Sequence, residues 1–166
     1  MANKTNFSSD EWSKVLQSVT MAAIAVTAAD PSGLWGTLKE SMVAGQALIE
    51  AKSDSKANEL IKAVVSDFET SAGRAAAREG LHASLAGSKP GEVRTKAVAA
   101  VRDAAALVDA KAPGDAAAFK AWLRHISQGV AEASTEGGFL GFGGVRVSDA
   151  EKATLAEISG ALGLKG

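Results

Sequence analysis

The sequence predicts an all-α protein, a compact bundle of five to seven helices. Three observations predict it. Apolar residues recur at i, i+3, i+4 and i+7 along most of the chain. No stretch alternates apolar and polar residues for long enough to make a strand; Val145-Arg146-Val147 is the longest attempt. Each periodic stretch is bounded by a capping residue or by a Pro/Gly turn. The abundant alanine agrees, because alanine favours helix and lets helices approach closely.

Residues 1–7 read as a polar, flexible lead, and 8–166 as a single helical domain. Ser8 and Glu11 stand in capping-box spacing and open a first helix over about 9–29. Its stripe is Trp12, Val15, Leu16, Val19, Ala23 and Val26, with Met21 and Ile24 off the stripe, so it is apolar over much of its girth and belongs at the centre of the core. Asp30-Pro31-Ser32-Gly33 breaks it. The second helix, about 34–52, places Trp35, Leu38, Met42 and Ile49 on one face, with Gly45 suited to a close helix crossing. The third, about 56–70, carries Leu60, Ile61, Val64, Val65 and Phe68. Residues 74–85 continue it or form a helix of their own, with Ser71 as a second cap and Gly73 and Gly80 favouring a break. Pro90 opens a fourth helix to about 111 on Val93, Ala97, Val101 and Val108. After Ala112-Pro113-Gly114, Asp115 reads as the N-cap of a fifth helix, 116–135, striped by Phe119, Trp122, Leu123, Ile126, Val130 and Ala133.

Composition excludes several functions. The chain has 166 residues, of which 46% are hydrophobic and 22% charged, enough for a sizeable core and unlike a disordered protein. A net charge of −1 argues against nucleic-acid binding, which depends on a basic surface. There is no cysteine, hence no disulfide, thiolate metal site or cysteine nucleophile. The first residues carry no signal-peptide pattern, and the most apolar run, Val19 to Ala29, falls short of the roughly 20 helical residues a membrane span needs. The expectation is a cytoplasmic protein.

The least generic stretch is Gly137 to Leu164. A loop of glycines with Phe139, Leu140 and Phe142 leads to Ser148 and Glu151, again in capping-box spacing. A last helix follows on Leu155, Ile158 and Leu162, with Gly163 as its C′ stop.

Val130-Ala131-Glu132-Ala133-Ser134-Thr135-Glu136-Gly137-Gly138, then Val147-Ser148-Asp149-Ala150-Glu151, then Leu155, Ile158 and Leu162-Gly163-Leu164 resemble the helix–acidic turn–helix unit of the tellurite-resistance TerB-like family. A fainter copy is Val26-Thr27-Ala28-Ala29-Asp30-Pro31-Ser32-Gly33 with the second helix. The resemblance covers about a third of the chain. It implies two pseudo-symmetric helical units, a role in stress and metal resistance, and a divalent cation at the acidic turns. Carried over residue by residue, the ligands are Asp30 for the first turn and Glu136, Asp149 and Glu151 for the second. Such hard oxygen donors suit calcium, magnesium or manganese better than zinc. The second turn departs from the family's Ala-Asp-Gly, reading Ser-Thr-Glu-Gly-Gly, and it is longer.

Other chemistry is thin. The glycine loop does not follow a strand and is not a phosphate-binding G-x-x-x-x-G-K-[ST]. Glu132, Ser134, Glu136 and Gly137 echo a calcium loop whose twelfth position is Gly143 rather than glutamate. His82 and His125 are the only histidines, and neither has nucleophile or zinc spacing around it. Trp12, Trp35 and Trp122 sit on helical stripes and read as core. The expectation is a non-enzymatic module, binding a protein partner or a divalent cation. The alternative is a protein that self-associates into a homo-oligomer or docks on a membrane surface through Phe139, Leu140 and Phe142, unless that loop folds over the core.

Overall fold

The computed structural model describes residues 2–29, 36–54, 57–135 and 147–164, and within them all side chains except those of 36–44, 90, 134 and 135. Among the described residues the chain forms a short 3-10 helix, Lys4–Asn6, and seven α-helices, with no strand. The α-helices are α1 (Ser9–Thr27), α2 (Gly36–Ser53), α3 (Glu59–Glu69), α4 (Ser71–Leu85), α5 (Pro90–Lys111), α6 (Pro113–Thr135) and α7 (Asp149–Ala161). The expected all-α bundle is what the chain makes. None of its helices is long and apolar enough to cross a membrane, among the described residues.

The first helix is the axis of the bundle. α1 touches every other α-helix. Its predicted stripe is at most 3% exposed, and Met21, Ala22 and Ala25, off that stripe, are fully buried as well. Small side chains make this enclosure feasible, because Ala22, Ala23 and Ala25 let neighbouring backbones come close without a void. The polar groups on α1 are satisfied. Gln17 donates through Nε2 to the carbonyl of Gly80 (2.9 Å) and the hydroxyl of Ser84 (2.5 Å), and Ser18 donates to the Val15 carbonyl (2.7 Å). From α6, the buried Ser127 hydroxyl donates to the Ala22 carbonyl at 2.9 Å. Around α1 the core gathers Leu60 and Val64 of α3, Val101 and Val108 of α5, Phe119, Leu123 and Ile126 of α6, and Ile158 of α7.

Caps fix where the helices start. Ser8 and Ser148 both form the expected capping boxes, with Glu11 and Glu151. Gly163 has the left-handed φ of 66° that a C′ glycine adopts. The open choice over 56–86 resolves into two helices, and the break lies at Thr70, not at either glycine or Ser71. Thr70 is extended (φ −87°, ψ 150°), and its Oγ1 accepts from Gly73 N–H at 2.9 Å, so one residue ends α3 and caps α4. Gly73 and Gly80 are inside α4.

Three further expectations are corrected. Asp115 is not an N-cap. Pro113 already lies in the first turn of α6, and Asp115 is buried there, its carboxylate accepting the backbone N–H of Ala2 at 2.8 Å. The lead is docked rather than frayed in its described part: Ala2 and Phe7 are buried, and Phe7 packs on Trp12 with ring centroids 5.6 Å apart. Of the stripe assigned to α2, Ile49 is not on the core face. Ile49 is 67% exposed, while Ala47 and Ala51 are buried. No described atom lies within 4 Å of where a Cβ on Gly45 would stand. Trp35 lies outside the described residues, as do the side chains of Leu38 and Met42.

Two glycines inside helices therefore respond oppositely to alanine. Gly45→Ala adds helix propensity in open space and raises stability by about 0.5–1 kcal/mol. Gly73→Ala places a Cβ 2.1 Å from the Asp67 carbonyl oxygen. It lowers stability by roughly 1–3 kcal/mol despite the same gain in propensity. Urea midpoints of the two variants check both signs.

At the start of α1 the Glu11 carboxylate accepts Ser8 N–H (2.7 Å) and pairs with Lys111 of α5 (3.1 Å). The Ser8 backbone hydrogen bond, then the Lys111 ammonium, holds the Glu11 carboxyl below its ordinary 4.5. A folded-state pKa below the unfolded one stabilises the fold above pH 4.5. That contribution disappears as the pH falls through the lowered folded value. The urea midpoint of the wild type should drop more than that of Glu11→Gln between about pH 6 and about pH 3. Parallel declines in the two proteins would refute the linkage.

Candidate functional site

Of the residues that sequence reasoning assigned to a metal, Asp30 and Glu136 lie outside the described residues, as do Phe139, Leu140 and Phe142 of the proposed contact loop. The other two occupy the start of α7. Asp149 projects fully into solvent and pairs with Lys152 at 3.3 Å. Glu151 is 5% exposed, and its Oε2 accepts the Ser148 backbone N–H at 2.8 Å and the Ser148 hydroxyl at 2.9 Å. Both carboxylates thus serve the helix end, one as part of the cap and the other in the favourable field of the N-terminus. Among the described residues, no three His, Asp or Glu side chains stand together as a metal site. His82 and His125 are exposed and sit on different helices, α4 and α6.

The structure brings together a different set. α2, α3 and α6 enclose an open groove of about 400 Å³. α2 lends Ala47, Glu50 and Ala51, with Asp54 directly after its last residue, and α6 lends Ala118, Ala121, Trp122 and His125. Each set has the spacing i, i+3, i+4, i+7, one face of a helix. Ala57, Asn58 and Ile61, at the start of α3, close one end. The alanines make the groove: where α2 and α6 face each other with methyl groups, the helix backbones set the walls and the space between stays open. Its floor is apolar, with the Trp122 indole at the base beside Phe119 (centroids 6.0 Å apart). Next to it, sharing Ala121 and His125, is a smaller hollow of about 270 Å³ reaching Arg124, Gln128 and Leu164.

Charge is confined to the rim. Glu50 accepts from Gln46 Nε2 at 2.8 Å, and its other oxygen is 3.7 Å from His125 Nε2. Both side chains of that pair are more than half exposed, so the contact is weak and carries a full charge pair only when the imidazole is protonated. Asn58 has two structural duties. Its Oδ1 accepts Ile61 N–H (2.9 Å), capping α3, and its Nδ2 donates to the Asp115 carbonyl (2.9 Å), tying α3 to α6. An apolar floor with an ionic rim holds a ligand by burial of nonpolar surface, and the volume is at the small end of the range for binding sites.

Sequence reasoning missed this groove. Trp122 was taken as core, which it is on one side, and His125 as a histidine without nucleophile or zinc spacing around it. The signal was in the alanines, because two helices each with two or more alanines at one-turn spacing have no large side chains to fill the space between them.

No family model matches the chain, and neither a curated protein nor a solved structure shows detectable similarity to it.

The role of Glu151 yields a test. Glu151→Ala removes the reciprocal half of the cap and should lower stability by about 1 kcal/mol, equally in EDTA and in millimolar calcium, magnesium or manganese. A metal-induced rise in melting temperature that vanishes in Glu151→Ala would instead make this carboxylate an ion ligand.

Proposed function

We propose that the protein is a non-enzymatic helical module, of the stress-associated TerB-like kind that its turn–helix units resemble, and that it acts by holding a segment of a protein partner in the groove between α2, α3 and α6. The groove itself carries the reading. It is apolar along its floor, open along its length and bounded by helices that are already rigid in the core, the form that accepts an amphipathic helix from a partner. Its alanines permit close approach of that helix, Trp122 and Ile61 meet its larger apolar side chains, and Glu50 on the rim meets a basic one. The scattered exposed histidines and the cap-bound carboxylate of Glu151 support binding rather than catalysis. The cation reading rests chiefly on Asp30 and Glu136, outside the described residues.

Ala121→Arg fills the groove from an exposed position and leaves the core intact, whereas Ala75→Arg makes the same change on the outer face of α4. A partner cross-linked to the wild type in its native cell should be lost with Ala121→Arg and kept with Ala75→Arg, while both variants melt within about 0.5 kcal/mol of the wild type, as surface substitutions do. A partner that survives Ala121→Arg would rule the groove out as its seat.

A further inference from the structure

The segment before α1 is tied to the wall of the groove. Ala2, 5% exposed, donates its backbone N–H to the buried carboxylate of Asp115. The carbonyl of the same Asp115 accepts from Asn58 Nδ2, and Asn58 in turn caps α3 through Ile61 N–H. At the other end of α3, Asp67 accepts the Lys4 ammonium at 3.0 Å and the Trp12 indole N–H at 2.6 Å. Phe7, between Lys4 and Trp12 in the chain, is buried on Trp12. One short segment thus bears on both ends of an 11-residue helix whose first turn supplies Ile61 to the groove.

We infer that residues 2–7 are a latch on α3: docked, they hold the start of α3 against α6 and set the shape of the groove, and undocking them loosens that wall. The inference rests on the reading of the groove as the binding face only for its consequence, which is that whatever engages or displaces the amino-terminal segment changes what the groove holds, and a bound partner reciprocally tightens the latch. The physical basis is that one buried hydrogen bond, Ala2 to Asp115, positions the α6 turn that Asn58 uses as its acceptor. Helix ends open locally far more readily than cores do, so the loss of such a tie is felt first at the α3 start.

Hydrogen exchange on the full chain, with no partner present, tests this. Ala2→Pro deletes the donor N–H and leaves every bundle residue in place. Asp115→Ala deletes the acceptor. In both variants the amides of Asn6 and Phe7 and those of Ile61 and Lys62 should exchange about tenfold faster, the effect of losing one buried hydrogen bond, while Val19 and Val101 in the core keep their wild-type rates. Faster exchange at Asn6 and Phe7 with unchanged Ile61 and Lys62 in Ala2→Pro would overturn the latch, as would a uniform rise that includes Val19 and Val101. Because the measurement needs no partner, its failure is separate from failure of the groove to bind one, which Ala121→Arg reports.

Discussion

The structure depends on the enclosure of one helix. α1 is in contact with all six other helices, and a helix in that position must be apolar over most of its circumference and narrow enough for its neighbours to meet around it. Valine and alanine satisfy both demands. Each large apolar side chain that seats against α1, such as Leu60, Phe119 or Ile158, gains roughly 1.5–3 kcal/mol from burial. The other six helices get their positions from that contact. Enclosure also forces a polar accounting. Gln17, Ser18 and Ser127 are buried with α1, and every one of them has its partner, two of them reaching another helix. These bonds fix the rotation of α4 and α6 about α1, which hydrophobic contact alone leaves free.

Most of this was legible in the sequence, and the reason is local. Helix starts are written in short-range chemistry: Ser8 with Glu11 and Ser148 with Glu151 announce their caps, and each forms. The stripes of α1, α5 and α6 are wide, so their buried faces could be read directly. Ile49 of α2 was misread because a large apolar residue on a helical stripe is not by itself on a core face. Over the described side chains of α2 it is Ala47 and Ala51 that turn inward, and Ile49 is left outside. The break at Thr70 was missed for a different reason. Glycine was weighed by its propensity, whereas a threonine that accepts from the third residue onward both stops one helix and starts the next.

The groove and the docked amino-terminal segment were not legible, because both come from long-range pairing. Ala2 and Asp115 are 113 positions apart, and no local pattern joins them. Asp115 looked like an N-cap because it follows a Pro-Gly turn; with Pro113 already in the first turn, its carboxylate was free to accept the incoming chain instead. The groove likewise requires α2 and α6 to face each other, which is decided by the packing of both on α1.

These two features share a cause. A core built largely from alanine and valine closes efficiently around one axis, but at its periphery, where α2 meets α6 away from α1, the same small residues leave space that no large side chain enters. Trp122 shows the transition: one side packs on Phe119 in the core, and the other floors the groove. The floor is therefore as rigid as the core behind it, while the α3 wall is held at its start by Asn58, with the Ala2–Asp115 tie behind it. In the proposed reading of the groove as a binding face, a fixed floor and one tethered wall discriminate by shape, since the floor sets which side chains fit and the tether sets how far the wall yields.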